Sequence, residues 1–117
     1  MEKIVQQGML YDFYGELLTE HQKQIYESYV YENLSLSEIA EEQGVSRQAV
    51  HDIIKRCDKI LMEYEEKLKL VSKFHHIKER IREMNDLTGA LHAHNDTEMD
   101  SIAAKLQKLS AEILADL

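Results

Sequence analysis

The chain has 117 residues, no proline, four glycines, one cysteine and a net charge of −8. That length is enough for one domain or a domain with an appendage, and the abundance of Glu, Lys, Leu and Ala without proline predicts an all-α protein. A lone cysteine excludes an internal disulfide and fits a reducing cytoplasm; the opening MEKIVQQG lacks the apolar core of a signal peptide, and no apolar run approaches the length of a membrane span, so no membrane insertion is expected.

Residues 3 to 17 read as a first helix with Ile4, Val5, Met9, Phe13 and Leu17 as its apolar side. Gly8 inside it costs about 1 kcal/mol against Ala, which suggests that another helix passes close by. Gly15 either ends the helix or allows packing. Thr19 with Gln22 three residues on is a capping box opening a helix from about 20 to 32, whose inward face is Ile25, Tyr26, Tyr29 and Val30. Tyr11, Tyr14, Tyr31 and Tyr64 suit either stacking on bases or, as the simpler reading, a buried ring with its hydroxyl at the surface.

A second capping box, Ser35 with Glu38, opens a short helix edged by Leu36, Ile39 and Ala40. Gly44 stands where the chain must leave that helix with positive φ, which a residue without Cβ adopts freely. Val45 then turns inward, and Ser46 is a good N-cap for a longer helix. This longer helix carries Val50, Ile53, Cys57, Ile60 and Leu61 as a buried stripe, with Cys57 read as a small core residue. Its other face shows Arg47, Gln48, His51, Asp52, Lys55, Arg56 and Lys59. Residues 47, 51, 55 and 59 are four apart and line one edge. A helix bracing a second one that presents Arg, Gln, His and Lys near its start is the geometry that reads a major groove. The stripe runs on through Tyr64 and Leu68, and its phase breaks around 69 to 72.

The tail is patterned differently. Leu70, Phe74, Ile77, Ile81, Met84 and Leu91 form an almost heptad stripe; a turn at His94, Asn95 and Asp96 comes next, with Thr97 as N-cap. Met99, Ile102, Leu106, Leu109, Ile113 and Leu117 repeat the spacing. Narrow stripes of this kind suit a coiled-coil seam, and the short link suggests an antiparallel helical hairpin that packs back on the core or on a second copy. The expected organisation is a helix-turn-helix domain at 1–69 and a C-terminal helical hairpin at 70–117, a possible oligomerisation element.

From Thr19 to Lys59 the chain (LTEHQKQIYESYVYENLSLSEIAEEQGVSRQAVHDIIKRCDK from Leu18) resembles region 4 of bacterial sigma factors, the part that reads promoter DNA. Extended to MEKIVQQGMLYDFYGELLTEHQ and KILMEYEEKLKLVSKF, the likeness covers the first two-thirds and resembles the YlxM family of small Gram-positive helix-turn-helix proteins. Gln43 departs from the Leu usual there, and His51 from a frequent Tyr. Genes of that family lie beside those of the signal recognition particle GTPases, so the resemblance implies a role in protein targeting. With no polymerase-binding sequence upstream, a complete sigma factor is not expected.

Charge opposes a simple DNA-binding reading. Residues 46 to 60 carry a net +2, and the rest of the chain −10. Glu38, Glu41, Glu42, Glu63, Glu65 and Glu66 would flank any approaching duplex with like charge, so either a monomer binds DNA weakly or an acidic surface faces a basic partner protein. His92 and His94 with Asp96 and Glu98, and the adjacent His75 and His76, invite a metal reading, but residues two apart or adjacent on a helix do not share a face. Solvated histidines are the simpler reading, and no metal or cofactor is expected. No phosphate-cradling glycine loop or nucleophile motif is present, so no catalytic residue and no enzyme is expected.

Three functions remain open. The first is a regulatory protein binding DNA, or signal recognition particle RNA, with Ser46 as cap; Arg47, Gln48 and His51 would meet base edges, and Lys55, Arg56 and Lys59 phosphate. The second is an adaptor that binds the signal recognition particle GTPase or its RNA without binding DNA. The third is a structural homo-oligomer with the tail as its working part.

Overall fold

The computed structural model describes residues 2–92 and 97–116. Among them are six α-helices, one 3-10 turn and no strand: α1 (Lys3–Tyr14), the 3-10 turn (Gly15–Leu17), α2 (Glu20–Val30), α3 (Leu36–Gln43), α4 (Arg47–Leu68), α5 (Leu70–His92) and α6 (Thr97–Asp116). The chain divides into two compact units, Met1–Val71 and Ser72–Leu117.

Local chemistry sets the boundaries in the first unit. Thr19 accepts from the Gln22 amide while the Gln22 side chain accepts from the Thr19 amide, and Ser35 and Glu38 do the same for α3. Each capping box satisfies two of the amide groups that a helix start leaves without partners. Gly44 has φ +67°, and the Val45 amide reaches back to the Ala40 carbonyl at 3.0 Å, closing α3. Ser46 then caps α4 by accepting from the Ala49 amide at 3.0 Å. Val45 itself is exposed, not inward as expected, because this closure leaves its side chain beyond the last turn of α3.

Ile25, Tyr26, Ile39, Val50, Cys57 and Leu61 are fully buried where α2, α3 and α4 meet. Ile54 joins the buried line of α4 in place of Ile53 and Ile60, which are only partly buried. Each fully buried aliphatic side chain contributes about 1.5–3 kcal/mol. α1 lies against this core with a face different from the one its apolar residues suggest. Gln7, Leu10, Tyr11 and Tyr14 are buried, whereas Val5, Phe13 and Leu17 are exposed. The reason is polar. Gln7 donates to the Asp58 carboxylate, Tyr11 to Glu27 at 2.5 Å and Tyr14 to Glu65 at 2.6 Å, so amphipathic side chains take the inner face and leave plain hydrocarbon outside. The first helix also ends at Tyr14, not at 17; Gly15 opens the 3-10 turn, and a Cβ there would sit 2.8 Å from the Tyr11 ring. At Gly8 a Cβ would rest 3.5 Å from Val30 on α2, so α2 does pass close by.

α4 ends on Lys69, whose φ of 56° is left-handed. Tyr14 and Glu65 fix that break: the Leu70 amide donates to Tyr14 Oη at 3.1 Å and the Val71 amide to Glu65 Oε1 at 3.0 Å. Glu65 is thus a joint between α1 and the end of α4, not one of the free flanking acids.

In the second unit a Cβ on Gly89 of α5 would lie 3.3 Å from Gln107 Nε2 of α6, so α6 folds back along α5. Among the described residues of this unit, Ile81, Thr88, Ala103 and Ser110 are buried. Among the described residues of the two apolar stripes, only Ile81 is one of them; Ile77, Met84, Met99, Ile102, Leu106, Leu109 and Ile113 are exposed, as is Leu87, which lies outside the stripes. The turn at 94–96, the His92–His94–Asp96 cluster, the side chain of Leu91 and Leu117 lie outside the described residues. No helix is long and apolar enough to cross a membrane, among the described residues.

Candidate nucleic-acid interface

Everything outward-facing on the first half of α4 results from how its inner side is held. Val50, Ile54, Cys57 and Leu61 fix one line into the core, so side chains on the opposite half of the helix point to solvent. Arg47, Gln48, Lys55, Arg56 and Lys59 are exposed there, as is Ser46 at the cap. At 3.6 residues per turn, Arg56 lies about 60° around the axis from Lys59, so the cations form a band and not a single edge.

Arg47 is the first residue of α4, and no acid lies in that first turn. A cation at the positive end of the helix dipole costs a few tenths of a kcal/mol or more. The cost leaves the start of α4 uncompensated and attractive to an anion such as a phosphate.

His51 is placed differently from its neighbours. It is half-buried in a cleft of about 190 Å³ lined by Lys3 and Gln7 of α1, Tyr29, Leu36, and Ile54, Lys55 and Asp58 of α4. Its Nδ1 lies 3.6 Å from the Asp52 carboxylate and makes no hydrogen bond. Only part of the ring therefore faces outward. The same cleft brings Lys3 to the edge of the cationic band, a residue that helical periodicity within α4 has no means of indicating.

Asp52 is the residue that sequence reasoning left out of the site. It sits in the middle of the exposed band, and Gln48 Nε2 donates to it at 2.9 Å. The signal was present as an i, i+4 pair of amide and carboxylate on one helix face.

On the inner edge of α4 the carboxylate of Asp58 is engaged. Asp58 accepts from Tyr26 Oη at 2.6 Å and from Gln7 Nε2 at 2.9 and 3.2 Å. Burial, and then the hydrogen bond to Asp58, pushes the Tyr26 phenol far above its ordinary value. Burial, and then the neighbouring Asp58 charge, pushes the Cys57 thiol up to about 11. A thiol held protonated and out of solvent is no nucleophile.

Acidic side chains collect on α2 and α3. Glu38, Glu41 and Glu42 line one shallow depression with Leu34, and Glu27, Glu32 and Glu42 line a second with Gln24, Ser28 and Gln43. The first unit therefore has a small cationic ridge on α4 and a larger anionic surface on α2, α3 and the link between them, where Glu32 lies.

A family model described as "UPF0122: Putative helix-turn-helix protein, YlxM / p13 like" matches residues 1–102. A UPF0122 protein of Clostridium kluyveri is 42% identical over 99 residues, covering 85% of this chain and 89% of the relative. UPF0122 protein RBAM_015800 of Bacillus velezensis is 42% identical over 109 residues, covering 93% and 97%. UPF0122 protein YlxM of Bacillus subtilis is 41% identical over 109 residues with the same coverage. The match takes in the whole first unit, with the turn at Gly44, and residues 72–102 of the second, up to the first turns of α6, and the chain belongs to the UPF0122, YlxM/p13-like helix-turn-helix family.

Proposed function

We propose that this protein is a regulatory protein that binds duplex DNA, with α4 lying in the major groove and α3 bracing it. The observation that supports this best is the outward band of Arg47, Gln48, Lys55, Arg56 and Lys59 at the N-terminal half of a capped, core-anchored helix. Arg47 and Gln48 meet base edges, joined by the exposed part of His51; Lys55, Arg56 and Lys59 take phosphate. With so few cations against a net charge of −8, affinity is weak for one copy and falls steeply with salt. The test is fluorescence anisotropy on a random duplex pool at low salt with the intact chain and with Arg47→Ala/Lys55→Ala. Binding is lost in the double variant while circular dichroism stays unchanged; unchanged affinity rejects the assignment.

A second reading draws on the acidic surface of α2 and α3. Glu27, Glu32, Glu38, Glu41 and Glu42 form a face that complements a basic protein. In a cytoplasmic adaptor of the protein-targeting pathway that partner is the signal recognition particle GTPase, with the α4 cations meeting its RNA. Titrating DNA, the particle's RNA and the GTPase in parallel at fixed salt separates the two readings. Tight binding to the GTPase alone favours the adaptor, and binding to duplex alone the regulator.

The hairpin of α5 and α6 serves self-association in either reading. Its support is the row Met99, Ile102, Leu106, Leu109 and Ile113, which keeps a strict three-four spacing and is exposed throughout. Two copies joined there present two α4 helices to one ligand, which offsets the low charge of each.

A further inference from the structure

The exposed band of α4 contains a carboxylate among its cations. Asp52 has its side chain 67% exposed, one turn after Gln48, and its contacts are within the helix: Gln48 Nε2 at 2.9 Å and His51 Nδ1 at 3.6 Å, both to Oδ1. Facing phosphate, that charge only weakens binding. Facing a base edge it has a use, because a carboxylate accepts hydrogen bonds and cannot donate them.

We propose that Gln48 and Asp52 form one base-reading pair whose ligand is the exocyclic amino group of cytosine in the major groove; this rests on the reading of α4 as the groove-binding helix. Gln48 holds Oδ1 and sets the carboxylate's rotamer. Oδ2 remains free to accept from cytosine N4, the one major-groove edge offering a donor with no acceptor beside it. Guanine presents O6 and N7, thymine presents O4, and adenine sets N7 beside its amino group, so each of these places lone pairs opposite the carboxylate. Asp52 thus selects mainly by penalising other bases, and it lowers affinity for random DNA as it does so. The remaining amide hydrogen and Oε1 of Gln48 are left to read the adjacent base pair.

Enrichment of random duplexes on the full-length protein tests this, followed by anisotropy on the selected duplex and its single-position variants. The unaltered chain enriches cytosine at one position and loses about tenfold in affinity when that base is changed. Asp52→Ala and the shape-conserving Asp52→Asn lose the preference at that position alone, keep those at the other positions, and bind random duplex more tightly. Gln48→Ala weakens the same preference in part. Retention of every positional preference in Asp52→Ala, with a uniform gain in affinity, overturns the pair as a reader and leaves Asp52 a merely repulsive charge. Absence of duplex binding in every variant and in the unaltered chain overturns the α4 reading itself, and the pair with it.

Discussion

Tyr26 Oη of α2 donates to the Asp58 carboxylate of α4 at 2.6 Å, and Gln7 of α1 reaches the same carboxylate from another direction. One acid on the inner edge of α4 thus ties two other helices to it, and it fixes which residues of α4 face out. Removing one donor leaves the acid with its second partner, so Tyr26→Phe costs about 1–2 kcal/mol. Asp58→Ala leaves a buried phenol and a buried amide without an acceptor and costs about 3 kcal/mol or more. Urea unfolding checks both. Equal midpoints for the two variants contradict the shared role of Asp58.

Gly44 is left-handed, yet a Cβ there would meet nothing within 4 Å. The penalty for replacing it is therefore conformational and not steric. Gly44→Ala is expected to cost about 1–2 kcal/mol, and Gly44→Asn less, because Asn tolerates that region better. A thermal melt would show the Ala variant lowered by about 4–8 °C for each kcal/mol lost. A melt unchanged by Ala contradicts the turn geometry.

Alkaline pH attacks the same core. Burial, reinforced by Glu27, Asp58 and Asp12 respectively, raises the phenols of Tyr11, Tyr26 and Tyr31 above 10.0, and burial raises Cys57 from 9.0 to about 11. In the unfolded chain these groups lose protons at their ordinary values while the folded chain keeps them. The unfolded state then binds fewer protons, so stability is fully present below pH 9 and falls as pH rises through 9 to 11. Melting temperature measured from pH 7 to 11 checks the direction, and Cys57→Ala should flatten the onset between 9 and 11. A midpoint constant across that range contradicts the assignment.

The helix-turn-helix was legible because its signals are local. Ser35 and Glu38, Thr19 and Gln22, Gly44 and Ser46 each act within a few residues, and each occupies its expected role. The inner face of α1 was not legible. Leu10 shares it with Gln7, Tyr11 and Tyr14, whose partners Asp58, Glu27 and Glu65 lie 16 to 51 residues away, and apolar periodicity has no means of registering them. The candidate interface divides the same way. Arg47, Lys55 and Lys59 face out because four-residue spacing follows from helix geometry alone. His51 obeys that spacing too, yet it is half-buried at a cleft that it lines together with Lys3 and Gln7 of α1, Tyr29 and Leu36, which spacing within one helix does not register. In the tail, heptad spacing identified the apolar rows but not what covers them, since Thr88, Ala103 and Ser110 are the small side chains that become buried.

That last difference carries a prediction about assembly. On α5 the exposed Ile77, Met84 and Leu87 are rotated to one side of the buried Ile81 and Thr88. On α6 the exposed Met99, Ile102, Leu106, Leu109 and Ile113 are rotated in the same sense from Ala103 and Ser110. Where two helices run back along each other, equal rotations place both rows on one face of the pair. Eight large apolar side chains on one face exceed what a monomer ordinarily leaves in water, and a three-four repeat fits the same repeat in another copy. Light scattering on the full chain should therefore give about twice the 13.7 kDa chain mass at micromolar concentration. Ile102→Glu/Leu109→Glu places two acids in the row and should return the mass to one chain with helicity retained, because neither side chain belongs to the buried set. The same variant should weaken duplex binding while keeping the base preferences of α4, since it removes the second copy and leaves each reading helix intact. A single-chain mass for the unaltered protein across all concentrations rejects self-association through the hairpin.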